Sequence, residues 1–184
     1  MRVLTYHKQQ KGDNVLRTNT LKLVQSSTFI AIIFLVIWFF RIPNGHGGFI
    51  HFGDSLIYIA AAVLPLPFSL FVAALGPGIF NLAAEGGAIW FPFTIVIKPI
   101  MALCFTVHGD TILGRIRNRI APFAAAVINT ALYFIANMII FDGWAAGVAA
   151  LPGLLIQGGV SIVFFFVIAM TLDKLKVKRI ITRK

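Results

Sequence analysis

A chain of 184 residues that is 59% hydrophobic and only 12% charged, with a mean hydropathy of +0.90, cannot clothe a water-soluble domain, whose charged share is about a quarter. Its apolar excess has to meet lipid. Sixteen Lys and Arg against six Asp and Glu give a formal net charge of +10. The basic residues gather in the flanks and one central loop, without interleaved aromatics, a pattern that fits anionic lipid headgroups rather than nucleic acid.

In chain order, residues 1–23 are polar and basic. No small-residue cleavage site follows the first apolar run, so no cleavable signal peptide is expected. That run extends from Val24 to Phe40 and is stopped by Arg41, Pro43 and the glycines of Gly45–Gly48. A second covers Asp54 to Leu64 and ends at Pro65 and Pro67, and a third covers Phe68 to Ala84. With so short and apolar a turn between them, these two also suit a re-entrant hairpin. The fourth run, Phe91 to Val107, is bent at Pro99; the fifth is Ile120 to Phe141, and the sixth Val148 to Leu172. A bilayer core takes about 20 apolar residues in a helix. The expectation is an all-α, polytopic membrane protein with six transmembrane helices in residues 24–172, between cytoplasmic basic segments at 1–23 and 173–184.

Orientation follows from the basic residues. With the N-terminus inside, fourteen of the sixteen Lys and Arg fall on the cytoplasmic side, leaving Arg41 outside and Lys98 within a span. The opposite orientation violates the positive-inside rule. Both termini are therefore expected in the cytoplasm, and Asp54, Glu85 and Asp142 at or near the outer face. No internal repeat suggests an inverted-repeat transporter.

Polar side chains at membrane depth are costly and point to function. Trp90, Thr94 and Lys98 follow each other at i, i+4, i+8, so they form one stripe on the fourth helix. At about 1.5 Å per residue, Lys98 lies roughly 12 Å inward of Trp90. Asn129, Tyr133 and Asn137 repeat the spacing on the fifth helix, and Gln157 and Ser161 on the sixth. Three such stripes suggest a shared cavity; the competing reading is interhelical bonding. Lys98 needs a partner, with Asp54 or Glu85 as candidates, unless it snorkels to the cytoplasmic edge. Trp90 and Tyr133 are suited to stack on a small ring compound, and the amides to donate and accept. Glu85 completes the candidate substrate-binding set.

Enzyme readings fail one by one. Gly53-Asp54-Ser55-Leu56 spells the GDSL string of an esterase family, but the Asp-x-x-His it requires downstream is missing, since no histidine follows His108. The four histidines and single Cys104 offer no metal-ligand spacing, and there is no Walker loop. Neither catalysis nor a cofactor or metal is expected.

The stretch GFIHFGDSLIYIAAAVLPLPFSLFVAALGPGIFNL, followed by IWFPFTIVIKPIMA, resembles the substrate-binding (S) components of energy-coupling factor (ECF) vitamin transporters. The lead-in Gly-x-x-His-x-Gly-Asp to the second helix is matched by Gly48, His51, Gly53 and Asp54. Pro92 and Thr94 match a Pro-x-Thr-x-x-x-x-Lys element, with Lys98 one position early. The chain looks most like the hydroxymethylpyrimidine or pyridoxine type. The resemblance implies a bacterial cell-membrane protein that captures a vitamin or precursor outside, then docks on a transmembrane coupling subunit driven by two ATPases. The family's Ala-x-x-x-Ala docking element on the first helix has its nearest match in Ser27-x-x-x-Ala31, still small enough for close helix approach. Gly45–Gly48 would form a lid. A stand-alone small-solute transporter and a structural subunit of a membrane complex are the alternatives.

Overall fold

The computed structural model describes the backbone of residues 2–43 and 49–182, and the side chains of 18–43 and 49–180. Seven helices and one two-stranded ribbon make up the described chain. The proposed glycine lid, Gly45–Gly48, lies outside the described residues.

Helix α1 spans Arg2–Phe39, and its apolar part, Thr18–Phe39, is long enough to cross a bilayer. Three consecutive hydroxyls in that part are satisfied within the helix: Ser26, Ser27 and Thr28 donate to the carbonyls of Lys22, Leu23 and Val24, at 2.8, 3.1 and 3.0 Å. This back-bonding lets hydroxyls sit in an apolar helix without an outside partner. Strands β1 (Ile42–Pro43) and β2 (Phe49–Ile50) then pair antiparallel, Ile42 opposite Ile50.

Helix α2 (Gly53–Val63) is buried at ten of its eleven positions. Its run of small and apolar residues, with no polar face, suits a helix enclosed by others. It touches α1, α3, α4 and α6, while those and α5 pack in the order α1, α3, α4, α5, α6. Gly53 permits the closest approach, because a Cβ there would stand 2.5 Å from Ile37 Cγ1 of α1. Pro65 then starts α3 (Leu66–Ala83). A 3-10 turn at Ala88–Trp90 leads into α4 (Phe91–Ala102).

The fourth apolar run was expected to stay helical to Val107; α4 instead stops at Ala102. Residues 103–115 are irregular, and side chains from the neighbouring helices satisfy their backbone. Asn118 accepts from the Thr106 N–H at 2.8 Å and donates to the carbonyls of Thr106 and Ile112. Arg117 donates to the carbonyls of Leu103 and Cys104. Asp173 accepts the N–H groups of Ile112 and Leu113 at 2.6 and 2.9 Å. These partners meet the requirement that buried backbone groups be paired, so the segment ends up fastened to the start of α5 and the end of α6.

Helix α5 (Ile116–Ile140) and helix α6 (Trp144–Lys174) are each longer than their apolar cores. They are joined by a left-handed turn at Asp142 (φ +50°) and Gly143 (φ +134°), conformations that Asp and Gly tolerate best. A short α7 (Val177–Thr182) closes the described chain.

Among the described residues, four helices are long and apolar enough to span a membrane: α1 in its part Thr18–Phe39, α3, α5 and α6. With 11 residues, α2 rises only about 16 Å, against a hydrocarbon core of about 30 Å. Large apolar side chains face outward, among them Phe39 (71% exposed), Val127 (70%) and Ile139 (66%). That inversion of the soluble pattern is what lipid contact requires.

Candidate functional site

The polar residues of the interior form two layers. In the deeper one, Asp54 lies in the first turn of α2, where the helix dipole favours a carboxylate. Lys98 reaches it from α4, its Nζ 2.7 Å from Oδ1 and 2.9 Å from Oδ2. The third ammonium proton goes to Asn129 Oδ1 on α5 at 2.9 Å. From α6, Gln157 Nε2 donates to Asp54 Oδ2 at 2.9 Å. Asp54 and Lys98 are each 1% exposed. One cluster thus links four helices, and it settles the partner of Lys98 as Asp54 rather than Glu85. The Lys98 ammonium also lies 5.0 Å from the centre of the Tyr133 ring, close enough for a cation–π attraction.

One turn nearer the start of α4 lies the second layer. Thr94 Oγ1 stands 2.7 Å from Asn81 Nδ2 of α3 and 2.7 Å from the Tyr133 hydroxyl of α5. The Trp90 and Tyr133 rings meet at 6.1 Å and 44°, and the Phe141 ring lies 6.0 Å from that of Trp90 at 54°. Asn137 donates its Nδ2 to the Tyr133 carbonyl at 2.8 Å.

Next to the ion pair is a partly open cavity. Six of the eight residues predicted for substrate contact line it: Trp90, Thr94, Lys98, Tyr133, Asn137 and Gln157. Asn129 is not among the lining residues; it is buried and holds Lys98. Glu85 does not belong to the lining either. It is exposed in the turn after α3, because the chain leaves the helix bundle there and a carboxylate is best solvated. Ser161 is buried and also stays out of the lining.

Other lining residues were not among the predicted contacts. Phe49 and Ile50 come from β2, His51 from the link to α2, Phe80 and Asn81 from α3, and Gly153 and Leu154 from α6. Asn81 carried a readable signal, an amide in an apolar run, and His51 stood in the resemblance motif. Nothing in local pattern marks the aromatic wall of Phe49 and Phe80.

His51 lies outside the helices, beside the Asp54–Lys98 pair. Burial pushes its imidazole down to about 4; Asp54 pulls it up and Lys98 pushes it further down. It is therefore neutral at physiological pH. On the outside of the bundle, Ser27 and Ala31 are both exposed on α1.

Neither a curated protein nor a solved structure matches the chain. The family model described as "ECF-type riboflavin transporter, S component" matches residues 17–174, a stretch that takes in α2 to α6, most of α1, and every residue of both polar layers. On that match the chain belongs to the family of ECF-type riboflavin transporter S components.

Proposed function

We propose that this protein is the membrane-embedded substrate-binding subunit of an ECF-type importer, holding a vitamin or vitamin precursor in the cavity above the Asp54–Lys98 pair. The observation that carries this reading is the convergence of three polar stripes, from α4, α5 and α6, on one cavity. Residues that served only to bond helices would pair closely with one another and leave no cavity among them.

In this reading the chain crosses a bacterial cell membrane six times with both termini in the cytoplasm, and the cavity faces outward. The basic residues support that orientation. The outer ends of α3 to α6 surround the cavity, while Arg115, Arg117 and Arg119 stand at the opposite end of α5. The family's description favours riboflavin as the guest. Hydroxymethylpyrimidine and pyridoxine, the guests of the type the sequence looks most like, are smaller rings with similar contacts. The exposed Ser27-x-x-x-Ala31 face of α1 serves as the contact for a transmembrane coupling subunit, which carries two ATPases.

Two measurements test the proposal together. Calorimetry on the purified chain in detergent should register tight binding of one of these three compounds. Affinity purification from membranes should bring down the coupling subunit and both ATPases. A chain that binds none of the compounds and purifies alone is not such a subunit.

A further inference from the structure

The ribbon side of the cavity carries polar atoms that neither layer uses. Ile42 pairs with Ile50, so the next positions at the open end of the ribbon are Arg41 and His51. Opposed positions of an antiparallel pair face the same side, and both side chains meet Phe80 of α3. The His51 ring centre lies 6.5 Å from that of Phe80, and the Arg41 guanidinium carbon 5.2 Å from it. His51, Phe80 and Phe49 line the cavity; Arg41 stands against those two phenyl rings from behind the lining.

Arg41 is held by its faces rather than by bonds. Its guanidinium carbon is 4.5 Å from the Trp38 ring centre and 5.1 Å from that of Phe49. Such stacking occupies the flat face of the group and leaves the N–H donors in its plane. Its Nη1 is buried with no hydrogen-bond partner among the described residues, and the same is true of His51 Nδ1. Among those residues, the carboxylates paired with Lys or Arg are Asp54, with Lys98, and Asp110, with Arg179. A buried charged donor left unpaired is costly, and a guest oxygen that accepts from it removes the cost. The two atoms differ in what they need: a guanidinium N–H only donates, while a neutral imidazole nitrogen accepts or donates according to its tautomer. A hydroxyl answers both needs, whereas a carbonyl or ether oxygen can only accept.

Resting on the vitamin-capture reading above, we infer that Arg41 and His51 form a subsite for a hydroxylated side arm of the guest, separate from the Trp90–Tyr133 wall that takes its ring. The arm enters between Phe49 and Phe80, whose rings meet edge to face at 5.5 Å and 77°, a contact weak beside a charge-assisted hydrogen bond. One hydroxyl accepts from Arg41 Nη1, and another bonds to His51 Nδ1.

The test is calorimetry on the full chain in detergent with riboflavin, whose arm carries hydroxyls, and lumiflavin, the same ring with a methyl in place of the arm. The wild type should prefer riboflavin by about tenfold or more. Arg41→Met should weaken riboflavin by about tenfold and leave lumiflavin within about twofold. His51→Phe should cut the preference as well; an unchanged preference there removes His51 from the subsite. Equal losses of both flavins in Arg41→Met show that Arg41 only props the ribbon, and overturn the inference. Should that variant not fold, the wild type decides: equal affinity for the two flavins is fatal to the subsite. A wild type that binds neither flavin also sinks it, and vitamin capture falls with it only when pyridoxine and hydroxymethylpyrimidine fail too.

Discussion

Lys98 and Asp54, 44 positions apart in the chain, meet at 2.7 Å in the interior of the helix bundle, each 1% exposed. Breaking such a pair leaves one buried charge alone, at a cost of about 3–5 kcal/mol. Lys98→Met is therefore expected to lower thermal stability in detergent sharply. Lys98→Met combined with Asp54→Leu should recover most of the loss, because no unpaired charge remains. Thermal unfolding of the three proteins checks this; a single variant as stable as wild type would show that the pair does not hold the bundle together.

Trp90 is buried against Tyr133 and Phe141 and lines the cavity. Trp90→Ala should weaken vitamin binding by about 10–100-fold, since an aromatic wall is lost along with its stacking. Asn129→Ala with Tyr133→Ala should abolish tight binding, because the Lys98 ammonium then loses both a hydrogen-bond partner and the ring beside it. Both variants should still insert. Calorimetry beside a membrane-fraction assay separates lost binding from lost insertion.

His51 sets a pH dependence whose sign is fixed. Its imidazole is held at about 4 in the folded protein against an ordinary value of 6.5. Between these values the unfolded chain binds the extra proton and the folded chain does not, so stability rises with pH across that window. Above 6.5 the contribution is flat; as pH falls toward 4 it becomes a growing penalty. His51→Gln should flatten the slope. Melting temperatures at pH 8, 6.5 and 5 (values chosen to bracket the window) compare the two proteins, and parallel curves would exclude His51 as the source.

Ala31 is exposed on α1, so a larger residue there perturbs no internal packing. Ala31→Leu should leave vitamin affinity unchanged while the coupling subunit no longer co-purifies, because close helix approach depends on small residues. Wild-type yield of the complex from that variant would place the docking surface elsewhere.

Much of this molecule was open to inspection in one dimension. Membrane residence follows from having too few charges to face water. The i, i+4 spacing of Trp90, Thr94 and Lys98 put them on one face, because helical periodicity is a local property. The approximate ends of α3, α5 and α6 were marked by proline, glycine and charge. Local pattern did not reveal that α4 stops at Ala102, since that end depends on Asn118, Arg117 and Asp173 taking over the backbone of residues 103–115.

The amino-acid order by itself determined which segments are apolar and which polar groups they carry, since hydropathy and period are read within a few turns of helix. Only the tertiary structure decided which of those groups meet. It paired Lys98 with Asp54 and not Glu85, withdrew Asn129 from the cavity wall to the ammonium behind it, and brought Phe49, Phe80 and Asn81 to the wall. The reason is geometric: partners on different helices are chosen by how those helices pack, and packing is decided by contacts among residues far apart in the chain.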